Sequence, residues 1–235
     1  MLSPYAFTQR MEGIFPTVTY HGRRLAAGAR GLPIYMNRNK KRAEIVNRCL
    51  NEIEFRNIVE TGTYLGYSTR YFCDVGRRRG ARVFSAELSD HYGHLAQRLL
   101  IGKRNLRLFR TDSVTMLRAI RAELGQEATF FYLDAHWNDY LPLRDELETI
   151  DRTNALVMID DFKVPGDDRF GYDTYKGQPI SLDLISDVTG GMSAFFPAYP
   201  ASEEHYRPRG FCLLTGSQSM RRHLAAWPEL RAYST

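Results

Sequence analysis

Three aspartates stand where their side chains could bind a metal ion. Asp134 ends the segment FFYLDAHW (130–137), and Asp160 and Asp161 end the segment LVMIDDF (156–162). Both segments have the apolar and aromatic composition of buried strands. If the two strands are neighbours in a parallel sheet, their carboxylates meet at one edge of it. Repulsion among three carboxylates calls for a cation, and hard oxygen ligands suit Mg²⁺. The alternative is that one aspartate caps a helix and another pairs with an arginine.

A glycine-containing turn follows the first predicted strand. The segment IVETGTYLGYST (58–69) places Glu60 ahead of Gly62 and Gly66. The spacing of the two glycines fits neither the dinucleotide-binding pattern nor the phosphate-binding loop. Because Glu60 is acidic where a phosphate would sit, the turn favours a ligand with a cationic group. A generic glycine turn is the alternative.

Two more acids end or follow the next strands. Glu87 ends the strand ARVFSAE (81–87), where a carboxylate can accept hydrogen bonds from both hydroxyls of a ribose. A helix-capping or solvated acid is the alternative for Glu87. Asp112 follows the third strand, where it could accept a hydrogen bond from an adenine amino group or cap the next helix.

The elements that must position these residues alternate along the chain. An apolar helical face runs from Ile45 to Ile53. Short apolar segments then predict strands at 56–60, 81–87, 105–109, 128–134 and 155–160. Helical periodicity between them predicts helices at 67–78, 89–100, 113–124 and 141–150. The pattern is typical of a parallel sheet covered on both faces.

The alternation ends after Asp161. The polar stretch 164–179 predicts a long loop, which in a compact domain is usually functional or mobile. A short helix at 181–188 and strands at 192–198 and 210–216 follow. The sequence therefore predicts an α/β fold with a single Rossmann-like, doubly wound sheet. That sheet is mostly parallel with a C-terminal antiparallel strand, and helices cover both its faces.

Composition excludes several classes of protein. The chain has 235 residues, of which 43% are hydrophobic and 25% charged, so it is neither a disordered tail, a collagen-like chain nor a coiled coil. No apolar run approaches the roughly 18 residues that a membrane span needs, and no membrane partner is expected. Three cysteines without a CxxC pair argue against a disulfide framework or a zinc site, which predicts a cytoplasmic protein.

Charge is unevenly distributed along the chain. Residues 1–110 contain 20 Lys and Arg against 8 Asp and Glu, whereas the whole chain has a net charge of only +5. Such asymmetry indicates either a nucleic-acid face or a basic half that folds against an acidic one. The basic clusters 38–42 and 77–79 lie beside predicted helix ends, which favours solvated helix surface.

Several of these segments together resemble a known family. Met36 and Asn37 precede Lys40 and Lys41, ETGTYLGYS (60–68) follows one helix later, and LDAHWNDYLP (133–142) comes after the fourth strand. In this order they resemble the divalent-metal-dependent O-methyltransferases among the class I S-adenosylmethionine-dependent methyltransferases. Within that family, the segments resemble those of catechol O-methyltransferase and of the macrolide-sugar O-methyltransferases. The likeness covers about residues 36–163.

The resemblance implies a role for each candidate residue. Glu60, Gly62, Gly66 and Ser68 would hold the methionine and ribose end of S-adenosylmethionine. Glu87 would bind the ribose, and Asp112 or Ser113 the adenine. Met36 and Asp134 would also belong to the cofactor site. Asp134, Asp160 and Asp161 would bind Mg²⁺ or another divalent cation, the Asp-Asp pair being closer to the sugar methyltransferases.

The sequence departs from the catechol enzymes at the residue that removes the substrate proton. Asn138 stands where those enzymes have a lysine after the tryptophan, and Ala135 is inserted ahead of it. His136 is the first substitute base, because a neutral imidazole can take a hydroxyl proton near pH 7. A structural histidine is the alternative. Lys163 is the second candidate base. Trp137 would line the pocket or pack in the core.

The resemblance implies one methyltransferase domain over residues 1–235. It would consist of an N-terminal extension (1–35), a cofactor-binding core (36–163) and a substrate loop with C-terminal strands (164–235). The expected partner is a small hydroxylated molecule, namely a sugar, a glycoside or a phenol. A metal-dependent hydroxylase, a nucleic-acid methyltransferase and a non-catalytic binding module are the alternatives, and the missing Pro-Pro-Tyr-type motif argues against nucleic acid. A homo-oligomer is also compatible with the sequence.

Overall fold

A computed structural model describes residues 35–136, 140–204 and 207–233. Nearly all of the N-terminal extension, together with Trp137 and Asn138, lies outside the described residues. The first five strands come from the alternating part of the chain. They are β1 (Asn57–Thr61), β2 (Arg82–Ala86), β3 (Leu106–Phe109), β4 (Thr129–Leu133) and β5 (Ala155–Asp160). Every residue of β1, β4 and β5 is buried, which explains their unbroken apolar sequences.

The five strands pair in parallel in the order β3-β2-β1-β4-β5. The chain adds strands outward from β1 on one side and then returns to add β4 and β5 on the other. Because crossovers between parallel strands are right-handed, this reversal places the helices of the two halves on opposite faces. The sheet is doubly wound, as predicted, and its switch point lies between β1 and β4.

Among the residues that the structure describes, one α-helix precedes the parallel strands and four helices connect them. Their bounds are α1 (Lys40–Glu52), α2 (Tyr67–Arg79), α3 (Asp90–Leu99), α4 (Ser113–Leu124) and α5 (Leu143–Thr149). A 3₁₀ turn at Met36–Arg38 leads into α1. The bounds of α2 to α5 lie within about two residues of the predicted ones, because the glycines and capping residues between the elements are visible in the sequence.

The C-terminal part adds three antiparallel strands where the sequence predicted two. Strands β8 (Ser193–Pro197), β9 (Phe211–Thr215) and β10 (Leu230–Tyr233) extend the sheet to eight strands in the order β10-β8-β9-β5. Ahead of them stand a two-stranded hairpin, β6 (Thr174–Tyr175) with β7 (Gln178–Pro179), and the short helix α6 (Leu182–Ile185). Helix α7 (Gln218–Ala225) and β10 were not predicted. None of the helices in the described ranges has the length and low charge needed to cross a bilayer.

Candidate functional site

Two carboxylates and an imidazole meet beyond the carboxyl ends of β4 and β5. The strands pair with Leu133 opposite Ile159, so the residues that follow them leave the sheet side by side. Asp134, His136 and Asp161 each bring one ligand atom within 4.8 Å of the others. The Nε2 atom of His136 lies 3.9 Å from Oδ1 of Asp134. The predicted convergence of acids is therefore present for Asp134 and Asp161, with His136 as the third member.

The pKa values of the two carboxyl groups in this cluster are shifted in opposite directions. Burial and the charges of Asp160 and Asp161 raise the pKa of Asp134 well above its usual value. Burial alone would raise the pKa of Asp161 too, but a hydrogen bond from Arg209 and the positive charge of Arg42 hold it below the usual value. A cation bound between the two carboxyl groups would favour the ionised form of Asp134.

The side chain of Asp160 does not join the cluster. It is fully buried, ion-paired with Arg42, and accepts a 2.6 Å hydrogen bond from the hydroxyl of Tyr132. Successive side chains of a regular strand point to opposite faces, so Asp160 and Asp161 would point in different directions even if β5 continued through both residues. The backbone leaves the strand geometry at Asp161, whose φ of 51° is left-handed.

Two arginines that the sequence analysis did not identify surround the acids. Arg42 donates to the backbone oxygen of Arg209 over 2.8 Å, in addition to its ion pair with Asp160. Arg209 donates from Nε to Asp161 over 2.7 Å and pairs with Asp173 in the loop after β5. A sequence signal existed for Arg42, since it falls three and four residues ahead of Ile45 and Val46 on the buried face of α1. Nothing local marks Arg209.

The glycine-containing turn lies at the switch point, between β1 and α2. Glu60 is buried and accepts hydrogen bonds from the hydroxyls of Thr69 and Ser85, and burial raises its pKa to about 8. Its carboxyl group thus ties β1 to α2 and β2. The hydroxyl oxygen of Ser68 accepts a 3.2 Å hydrogen bond from the backbone N–H of Met36, which brings these two predicted cofactor residues together.

The backbone around Gly62 leaves no room for a larger residue at this position. Its φ is +83°, and a Cβ there would lie 2.3 Å from the carbonyl oxygen of Asp134. We expect Gly62→Ala to lower the free energy of unfolding by about 2–5 kcal/mol, from left-handed strain and overpacking together. Gly102→Ala is the matched control, because φ is +82° and no atom lies within 4 Å of its Cβ position. Urea unfolding that gives equal losses for both variants would contradict the close approach to Asp134.

Glu87 and Asp112 lie after β2 and β3, at the same edge of the sheet. The Glu87 carboxylate accepts backbone N–H bonds from Tyr64 (2.6 Å) and Ser89 (2.8 Å), so it joins the loops after β1 and β2. Asp112 is the N-cap of α4 and accepts from the backbone N–H of Thr115 over 2.8 Å. Asp112 therefore caps helix α4, which the sequence analysis gave as the alternative to a contact with adenine.

Ser113 and Lys163 occupy different surroundings. Ser113 is buried in the first turn of α4. Lys163 lies outside the acidic cluster. Its ammonium group is 3.8 Å from Asp168 and 5.3 Å from the centre of the Tyr172 ring. Of the two candidate bases, the structure brings only His136 next to the acids.

Comparison with known proteins identifies the fold. No family model matches the sequence, and no curated protein sequence matches it either. Solved structures do match. An O-methyltransferase from Bacillus cereus in complex with SAH is 18% identical with a TM-score of 0.52, over 84% of this chain and 90% of that one. The O-methyltransferase TomG from Streptomyces achromogenes, involved in tomaymycin synthesis and in complex with SAM, is 15% identical with a TM-score of 0.52, over 83% and 88%. The chain has the Rossmann-like methyltransferase fold that its sequence predicts.

Proposed function

We propose that this protein is an S-adenosylmethionine-dependent O-methyltransferase that acts on a hydroxyl group of a small molecule with the help of a divalent cation. One observation carries the proposal. On a fold shared with O-methyltransferases, the acidic cluster of Asp134, His136 and Asp161 lies directly beside the switch point where such sheets bind ligands.

The residues at the switch point fit the cofactor. Backbone N–H groups of Tyr64 and Ser89 hold the Glu87 carboxylate in place. Each carboxylate oxygen has a second lone pair, so the group can also accept hydrogen bonds from ribose hydroxyls. Ser68 and Met36 would lie toward the methionine end, and Asp112 with Ser113 toward the adenine. Thr69 and Ser85 both donate to Oε2 of Glu60, so Glu60 holds the turn in shape and would still have Oε1 to offer the cofactor.

The cluster fits a divalent cation by its chemistry, since carboxylate oxygen and imidazole nitrogen are both common metal ligands. When bound, such a cation lowers the pKa of a neighbouring hydroxyl, so that its oxygen can attack the methyl group. Asp134 and Asp161 would hold it. His136 is close enough to both carboxylates to serve either as the proton acceptor or as a third ligand. The chain's remaining task is to hold oxygen and methyl carbon in line.

The substrate would enter from the side of the C-terminal part. The loop 164–179 approaches the cluster through Asp173, which is 3.7 Å from Nε2 of His136. Glu204 accepts backbone N–H bonds from Lys41 and Arg42 and so caps the start of α1. We propose that residues 36–163 bind the cofactor and that residues 164–235 shape the substrate pocket. We also propose that the protein is located in the cytoplasm.

Binding of S-adenosylhomocysteine, measured by calorimetry with and without Mg²⁺, tests the cofactor assignment. We expect saturable 1:1 binding under both conditions. Glu87→Gln should weaken it at least about tenfold, because the ribose hydroxyls lose a charged acceptor worth about 1.5–3 kcal/mol. The control Glu123→Gln changes an exposed acid that pairs with Arg82 and Arg107, and it should bind like the wild type. No binding by the wild type would refute the methyltransferase proposal.

A further inference from the structure

We propose that Asp134, His136 and Asp161 form a metal site with one nitrogen and two oxygen ligands, which selects Mn²⁺, Fe²⁺, Co²⁺ or Zn²⁺ over Mg²⁺. His136 is then a metal ligand and not the base that removes the substrate proton. The purpose of the metal rests on the proposed function, whereas the site itself rests on the geometry of the cluster.

The imidazole of His136 is buried and points into the cluster. Its side chain is only 6% exposed, and its Nε2 atom has no hydrogen-bond partner among the residues that the structure describes. The oxygens of Asp134 and Asp173 lie 3.9 and 3.7 Å from it, beyond hydrogen-bonding distance. A buried polar atom left in this state is costly, and a shared cation would satisfy it together with the carboxylates.

The spacing of the ligand atoms suits one ion. Two atoms that each lie about 2.1 Å from a shared ion are at most about 4.2 Å apart. The three ligand atoms of the cluster lie within 4.8 Å of one another. Neighbouring ligand atoms of one ion are about 3–3.5 Å apart, so a side-chain movement of about 1 Å would bring all three atoms onto a single ion.

The surroundings explain why histidine and not Asp160 supplies the third ligand. Arg42 and Tyr132 hold the Asp160 carboxylate inside the sheet, and Asp160 is fully buried there. Asp161 is oriented by the hydrogen bond from Arg209 to its Oδ1. Partners of this kind fix the direction of a ligating carboxylate and tune its affinity.

The ligand set determines the metal preference. All-oxygen sites suit Mg²⁺, Ca²⁺ and Mn²⁺, whereas imidazole shifts a site toward transition metals, whose affinities rise from Mn²⁺ to Cu²⁺. Mg²⁺ also demands near-ideal octahedral oxygen coordination and gives up its water reluctantly. A site with one imidazole and two carboxylates therefore discriminates against Mg²⁺.

The test measures metal binding by the full chain without cofactor, using Co²⁺ and Mg²⁺ as probes in calorimetry and Co²⁺ absorption. We expect the wild type to bind Co²⁺ at least about tenfold more tightly than Mg²⁺. His136→Ala should weaken Co²⁺ binding at least about tenfold, as loss of ligand-shell groups does, with Mg²⁺ binding changed less. The matched control is His223→Ala, an exposed histidine paired with Glu52, and it should bind both metals like the wild type.

Two results would overturn the proposal. One is Co²⁺ binding by His136→Ala within about threefold of the wild type, and the other is a wild-type preference for Mg²⁺. If His136→Ala fails to fold, pulsed electron paramagnetic resonance of Mn²⁺ bound to the wild type tests whether His136 is a ligand. We then expect ¹⁴N coupling from the imidazole, and its absence would refute the assignment of His136 as a ligand. Binding of S-adenosylhomocysteine is measured separately, so a failed cofactor assignment leaves the metal result interpretable.

Discussion

Arg42→Met is expected to reduce the free energy of unfolding by about 3–5 kcal/mol. Arg42 and Asp160 are both completely buried and paired, so removal of the guanidinium leaves a carboxylate without its counter-charge. Burial already raises the pKa of Asp160, and the positive charge of Arg42 opposes that shift more than the hydrogen bonds from Tyr132 and from the backbone N–H of Asp161 do. Urea unfolding at pH 7, followed by circular dichroism, measures the loss.

A second arginine of α1 supplies the control. Arg48 pairs with Glu52 and Glu229 on the surface and is 35% exposed, so Arg48→Met should cost no more than about 1 kcal/mol. The double variant Arg42→Met/Asp160→Asn should recover part of the loss, because no charge is then left buried. If Arg42→Met costs no more than Arg48→Met, the buried ion pair does not have the role that we assign to it.

Asp134→Asn is expected to abolish metal-stimulated methyl transfer and at the same time to stabilise the metal-free protein. Loss of a ligand carboxylate removes several kcal/mol of charge stabilisation, which corresponds to a rate decrease of more than about a hundredfold. Without metal, burial and the charges of Asp160 and Asp161 disfavour the ionised form of Asp134, so an uncharged asparagine should raise the free energy of unfolding by about 0.5–2 kcal/mol.

The two effects are measured on the same variant. Transfer of radiolabelled methyl from S-adenosylmethionine, with any acceptor found by screening phenols and glycosides, reports activity, and urea unfolding in chelator reports stability. Asp168→Asn is the control, since its side chain is 83% exposed in the nearby loop. Undiminished metal stimulation in Asp134→Asn would exclude the cluster as the metal site. A less stable metal-free variant would contradict the repulsion.

The sequence by itself determined the order of strands and helices and the edge of the sheet at which the candidate acids lie. Apolar runs such as ALVMID and the helix SVTMLRAIRAEL have the same bounds in the structure as in the prediction, because burial on both faces and helical periodicity are local signals. Strands that alternate with helices pair in parallel, so the acids at their carboxyl ends lie along one edge of the sheet. Less was visible at the C-terminus, where β10 is a short edge strand with one buried residue.

Only the tertiary structure decided which side chains form the cluster. The sequence offered Asp134, Asp160 and Asp161 as equivalent acids, and pairing of one acid with an arginine was the alternative. Convergence and arginine pairing are both present in part. Asp160 is buried in an ion pair with Arg42, whereas Asp161 lies close to Asp134 and His136. Arg209 is 48 residues from Asp161 along the chain. Contacts of this kind depend on packing between distant elements and on a left-handed φ at Asp161, and no local pattern in the sequence encodes either of them.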